Sequence, residues 1–124
     1  MISLLLALSL TSIKLYPPGM PSSVIEMYEE KESKIYVGDY ELTAYISTGN
    51  PCADGVMPSV GYTVASNDSK LWHKYIEIEG YGVYYVHDTG GMATNVIDIF
   101  MGSYDKAIQF GRRSAKVYIK EGDE

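Results

Sequence analysis

Between residues 82 and 101 the chain reads GVYYVHD, TGGMAT and NVIDIFM: two strand-length apolar runs, each with one aspartate, on either side of a Gly-Gly turn. A carboxylate among Val, Ile and Phe must be hydrogen-bonded or neutralised, because an unpaired buried charge is strongly unfavourable. Asp88 and Asp98 therefore restrict the folds open to this chain: the strands that carry them must supply partners or bring both to one opening. Strand alternation sets Tyr84, Val86 and Asp88 on one face, and Val96, Asp98 and Phe100 on another. Desolvation on such faces raises at least one carboxyl pKa, which a general acid working near neutral pH requires.

The remaining pattern is also that of strands. Short runs bounded by turn residues fall at 39–47, 61–66, 74–80, 82–88, 95–101 and 114–120, which predicts six strands. In IEIEG, Ile76 and Ile78 face inward while Glu77 and Glu79 face water. One short helix is expected at SYDKAIQFG, capped by Ser103 and ended by Gly111. Twelve Gly and twelve Tyr against two Phe agree with a turn-rich, all-β protein, and strands of this number and spacing favour a small barrel. At 124 residues there is room for one core.

Residues 2–13, ISLLLALSLTSI, form an apolar run short for a bilayer span but suited to a signal-peptide core, and KLYPPGMPSS after it stops a helix. The expected organisation is a signal peptide or N-terminal anchor at 1–15, a charged linker or short helix within 16–34, and a folded domain over 35–124. Export to the cell exterior follows, with no stable membrane association beyond that segment. A net charge of −6 and the lack of a basic stripe argue against nucleic acid and against anionic membranes. The single cysteine, Cys52, excludes an intrachain disulfide and a CxxC metal site. His73 and His87 lack a third ligand at suitable spacing, so neither a metal nor another cofactor is expected.

Five blocks in register, LTAY (42–45), DGVMPSVGYTVASND (54–68), IEGYGVYYVHDTGG (78–91), VIDIF (96–100) and FGRRSAKVYI (110–119), resemble the 3D domain, the three-aspartate family of stationary-phase muralytic enzymes and MltA-type lytic transglycosylases. The resemblance implies a six-stranded double-psi β-barrel that cleaves peptidoglycan glycan strands, and hence a secreted, cell wall-associated protein. It carries the family's aspartates onto Asp88 in DTGG and Asp98 in VIDIF. The first family aspartate falls at Asn67 by direct match and at Asp68 with a one-residue shift.

Such a site implies Asp98 as acid/base, protonating the glycosidic oxygen and then accepting a proton from the sugar's C6 hydroxyl to close a 1,6-anhydro ring. Asp88 orients it or stabilises positive charge on the ring, and Asp68 completes the trio. Thr89, Gly90 and Gly91 let a sugar approach the backbone, with Tyr45 and Tyr81 as further substrate contacts and Trp72, Tyr84 and Tyr85 as stacking candidates. Other readings stand beside this one. Asp88 can form an Asx turn, Asp98 can pair with Arg112 or Lys116, and the tyrosines can be core. DTG also occurs in aspartic proteases, although His87 and Gly91 flank it poorly. A wall-binding barrel without catalysis, expansin-like, is the alternative function.

Overall fold

The computed structural model describes residues 15–120, the side chains of 29–32 excepted. The run at 1–15, expected to be a signal or anchor, lies outside the described residues save for Leu15. The chain divides into two compact units after Glu32. In the first, a helix α1 spans Ser22–Glu32 where a charged linker or short helix was expected, and the carbonyl of Pro21 accepts from Val24 and Ile25 N–H.

The second unit is built from β1 (Lys34–Tyr45), β2 (Thr63–Ser66), a 3-10 turn (Ser69–Leu71), β3 (Tyr75–Ile78), β4 (Gly82–Asp88), β5 (Val96–Phe100), α2 (Tyr104–Phe110) and β6 (Arg113–Lys120). The six strands close into a barrel in the order β1-β5-β2-β4-β3-β6. Two parallel pairs, β1 with β5 and β2 with β4, flank the antiparallel contact of β2 with β5, and antiparallel β3 and β6 complete the wall. Closure leaves no unpaired edge, which lets a chain of this size satisfy its backbone polar groups. The class and strand count are those expected from the sequence.

Every strand contributes alternate residues to the interior: Tyr40 and Leu42 from β1, Val64 from β2, Ile76 and Ile78 from β3, Val86 from β4, Ile97 and Ile99 from β5, and Val117 from β6. The alternation holds, with Ile76 and Ile78 buried, Glu77 half-buried and Glu79 exposed, and Glu77 is reached by Lys34 Nζ at 2.9 Å. Helix α2 is bounded as its sequence dictates: Ser103 Oγ accepts from Lys106 N–H, and Gly111, at a positive φ of 63°, donates its N–H to Ala107 O and closes the helix. Strand β1 begins earlier than expected because its first half pairs with β6 across an irregularity at Tyr36 and Gly38, where Gly38 adopts φ 144°.

One expectation fails, with consequences for the site. Tyr84, Val86 and Asp88 do not share a face. Val86 pairs with Val64 and lies in the core, whereas Asp88 pairs with Ala65, the next residue of β2, so His87 is an extra residue that makes a bulge. A bulge turns the following side chain to the opposite face, and Asp88 leaves the interior side for the outer one.

Ile97 is fully buried between Leu42 of β1 and Ser66 of β2. Ile97→Ala is expected to lower the unfolding free energy by about 2 to 5 kcal/mol, measured by chemical denaturation against the wild type.

Candidate functional site

The strand registers set four residues side by side on the outer face of the wall. Thr43 of β1 stands opposite Asp98 of β5, Asp98 opposite Ala65 of β2, and Ala65 opposite Asp88 of β4. Neighbouring strands lie about 4.8 Å apart, so the backbones of Asp98 and Asp88 are roughly 10 Å apart with only a methyl group between them. The loop after β1 spans 46–62, and its Ser47, Thr48, Asn50, Pro51 and Pro58 join Asp98, Ala65 and Asp88 of this row to line a cavity of about 350 Å³. Asp88, Asp98, Thr89, Gly90, Gly91 and Tyr45 all border that cavity.

The two carboxylates have different surroundings. Asp88 is an acceptor held from several sides: Tyr45 donates to Oδ2 at 3.0 Å, and Ala53 N–H and Thr89 N–H donate to Oδ1 at 3.0 and 2.9 Å. Burial and the bond to Asp88 push the Tyr45 phenol far up, so it stays a donor. Asp98 has one side-chain donor, Thr43 Oγ1, at 2.8 Å. Burial raises its carboxyl pKa above 3.8; the Thr43 hydrogen bond opposes this rise, and the charge of Asp88 adds to it. One carboxylate is thus fixed as an acceptor while its neighbour is biased towards the acid form, the pairing that separates roles in two-carboxylate sites.

The bland assignment for Asp98 does not apply, because Arg112 pairs with Glu41 at 2.6 Å and Lys116 with Asp39 at 3.5 Å. Cys52 is buried, and burial with the charges of Asp88 and Asp54 pushes its thiol up to about 11, which keeps it protonated at neutral pH.

Asp68 and Tyr81, two further residues singled out in the sequence, do not border the cavity. Asp68 caps the 3-10 turn, accepting from Lys70 N–H at 3.2 Å and from the Tyr40 hydroxyl, with Lys70 Nζ at 3.1 Å. Burial pushes its carboxyl up, but the hydrogen bonds from Tyr40 and Lys70 outweigh this and hold it below 3.8. The direct match, Asn67, is the residue that reaches the turn: its amide donates to Gly90 O and to Met92 O, and its Oδ1 accepts Gly90 N–H. Tyr81 packs edge-on against Phe110. Tyr84 and Trp72 pack against the core, while Tyr85 stacks on Tyr62.

Sequence reasoning missed Thr43 and the loop residues. The alternation of LTAY already separates Leu42 from Thr43 and Tyr45, but only the parallel register of β1 with β5 brings Thr43 to Asp98. Among the described residues no buried side-chain polar atom lacks a partner, so the carboxylates are placed without an orphaned neighbour.

Because the folded pKa of Asp98 is raised, the stabilisation that its protonated form provides is complete at acid pH. It is lost as pH rises from about the ordinary carboxylate value through the raised one. The stability of Asp98→Asn relative to wild type should therefore increase from pH 3 towards pH 7. Thermal denaturation across that range is the check, and a pH-independent difference would contradict the assignment. Compared with known proteins, the chain matches no family model, and no curated protein matches it at a significant level.

Proposed function

We propose that this protein cleaves the glycan strand of peptidoglycan at the bond between N-acetylmuramic acid and N-acetylglucosamine, as a lytic transglycosylase. The observation that carries the reading is the pair of unlike carboxylates on one cavity: Asp98 biased towards its acid form beside Asp88 gripped by three donors. In the proposed reaction the Asp98 carboxyl protonates the glycosidic oxygen as the C1–O bond breaks. The resulting carboxylate takes the proton of the C6 hydroxyl as that oxygen attacks C1, which closes the 1,6-anhydro ring and returns Asp98 to its acid form. The Asp88 carboxylate faces the positive charge that develops on the ring. No water, metal or cofactor enters this scheme.

The cavity's volume of about 350 Å³ suits one saccharide unit, and Ser47, Thr48, Asn50 and Thr89 offer hydroxyl and amide groups to its substituents. The apolar run at 2–13 supports export to where peptidoglycan lies. A second reading, a wall-binding barrel without catalysis, is favoured by one observation: the direct match to the first family aspartate is Asn67, a side chain spent on the Gly90 and Met92 carbonyls.

Digestion of purified peptidoglycan, followed by mass spectrometry of the soluble products, separates the two. The expected result is anhydro-muropeptides from the wild type, with the rate lowered by roughly 10² to 10⁴ in Asp98→Asn. Protein retained on an intact wall, with no soluble product, would favour the binding barrel.

A further inference from the structure

Next to the turn that carries Ala53 lies a chain of side chains, buried at His87 and Thr63, that makes no part of the cavity lining. The His87 side chain is 1% exposed, and its Nδ1 stands 3.1 Å from each carboxylate oxygen of Asp54. Its Nε2 stands 2.8 Å from Thr63 Oγ1, and that oxygen accepts the N–H of Ser59 at 2.9 Å. A nitrogen facing a carboxylate donates, so Nδ1 carries a proton towards Asp54, and Nε2 shares a hydrogen bond with the Thr63 hydroxyl. His87 is also the bulge residue of β4, directly before Asp88.

The same chain fastens the loop in two places. Asp54 Oδ1 accepts Val56 N–H at 3.0 Å, and Cys52 closes the turn with Cys52 N–H to Val56 O and Gly55 N–H to Cys52 O. Ala53, between Cys52 and Asp54, donates its N–H to Asp88 at 3.0 Å. At the loop's other end Thr63 accepts the N–H of Ser59, the residue directly after the cavity-lining Pro58. The imidazole therefore stands as a rigid spacer between the loop and the barrel wall.

We propose that His87 and Asp54 are positioning residues: their hydrogen bond fixes the Cys52–Val56 turn at the height where Ala53 N–H grips Asp88, and so sets the Asp88 carboxylate for the substrate. This inference rests on the glycan-cleaving reading for its consequence, but not for its geometry. The bulge that re-aims Asp88 and the ring that supports the turn above it belong to the same residue. Loss of the imidazole would remove both fastenings, whereas loss of the Asp54 carboxylate would release only the turn. A small misplacement of an active-site group costs rate without costing binding.

Two measurements on the full chain test it. The first needs no activity: hydrogen exchange of the Ala53 amide, followed by NMR, in wild type, Asp54→Ala and Asp88→Ala. The expected result is faster exchange of Ala53, by about tenfold or more, in both variants, with the amides of Ile97 and Ile99 unchanged; each variant removes one end of the same grip. Unchanged Ala53 exchange in Asp54→Ala would overturn the proposal, whatever the protein cleaves.

The second is a cycle of cleavage rates. Asp54→Ala should lower kcat by roughly tenfold to a hundredfold with KM nearly constant, yet have little further effect in the Asp88→Ala background, because it acts through Asp88. Equal effects in both backgrounds would mean that Asp54 only stabilises the fold, and the positioning role would fall. Should the wild type release no product, the glycan-cleaving reading fails, and the exchange measurement alone decides whether the spacer holds Ala53 on Asp88.

Discussion

One residue without a register partner governs the site. In β4, Val86 pairs with Val64 and Asp88 with Ala65, and His87 is left between them. Without that bulge, alternation would send Asp88 to the interior side with Val86, where it would meet Leu42, Ile97 and Val117 rather than water. The buried carboxylate would then need a full set of internal partners or lose its charge. The bulge instead turns it outward, into the row Thr43–Asp98–Ala65–Asp88, and the remaining features of the cavity are arranged around this row.

Ala65 decides what that row can hold. A larger side chain at this register position would fill the space between the two aspartates. With a methyl group there, both carboxylates open to one cavity, and their charges interact without direct contact. The difference between them then comes from their donors. Among the described residues Asp88 draws on Tyr45, Ala53 and Thr89, and Asp98, between the buried Ile97 and Ile99, on the Thr43 side chain. Burial raises the Asp98 carboxyl pKa, and the single Thr43 bond opposes that rise.

Much of the architecture was readable in the chain. Alternation in IEIE, caps at Ser103 and Gly111, and apolar runs of strand length led directly to six strands and one helix in the barrel unit, because these signals depend on neighbours two to four residues apart. The same local logic marked Asp88, Asp98 and the Thr89–Gly91 turn as unusual. Asp68 and Tyr81 lie away from the cavity. A carboxylate beside Ser69 and Lys70 serves as readily to cap a turn as to line a cavity, and Tyr81 finds its partner in Phe110 of a distant helix.

The sequence by itself determined that two carboxylates would lie among apolar strands, since an aspartate between Ile97 and Ile99 has no local means of escaping burial. Only the tertiary structure decided that they would face one another's cavity. That outcome needs the parallel register of β1 with β5 and of β2 with β4, whose paired residues lie more than 20 positions apart in the chain, together with a one-residue bulge. Register and bulge are set by the simultaneous burial of Leu42, Val64, Val86, Ile97 and Ile99 in one closed interior. No pattern within a single strand records that constraint, because a slip of one residue reverses every side chain and is penalised only when the whole barrel closes.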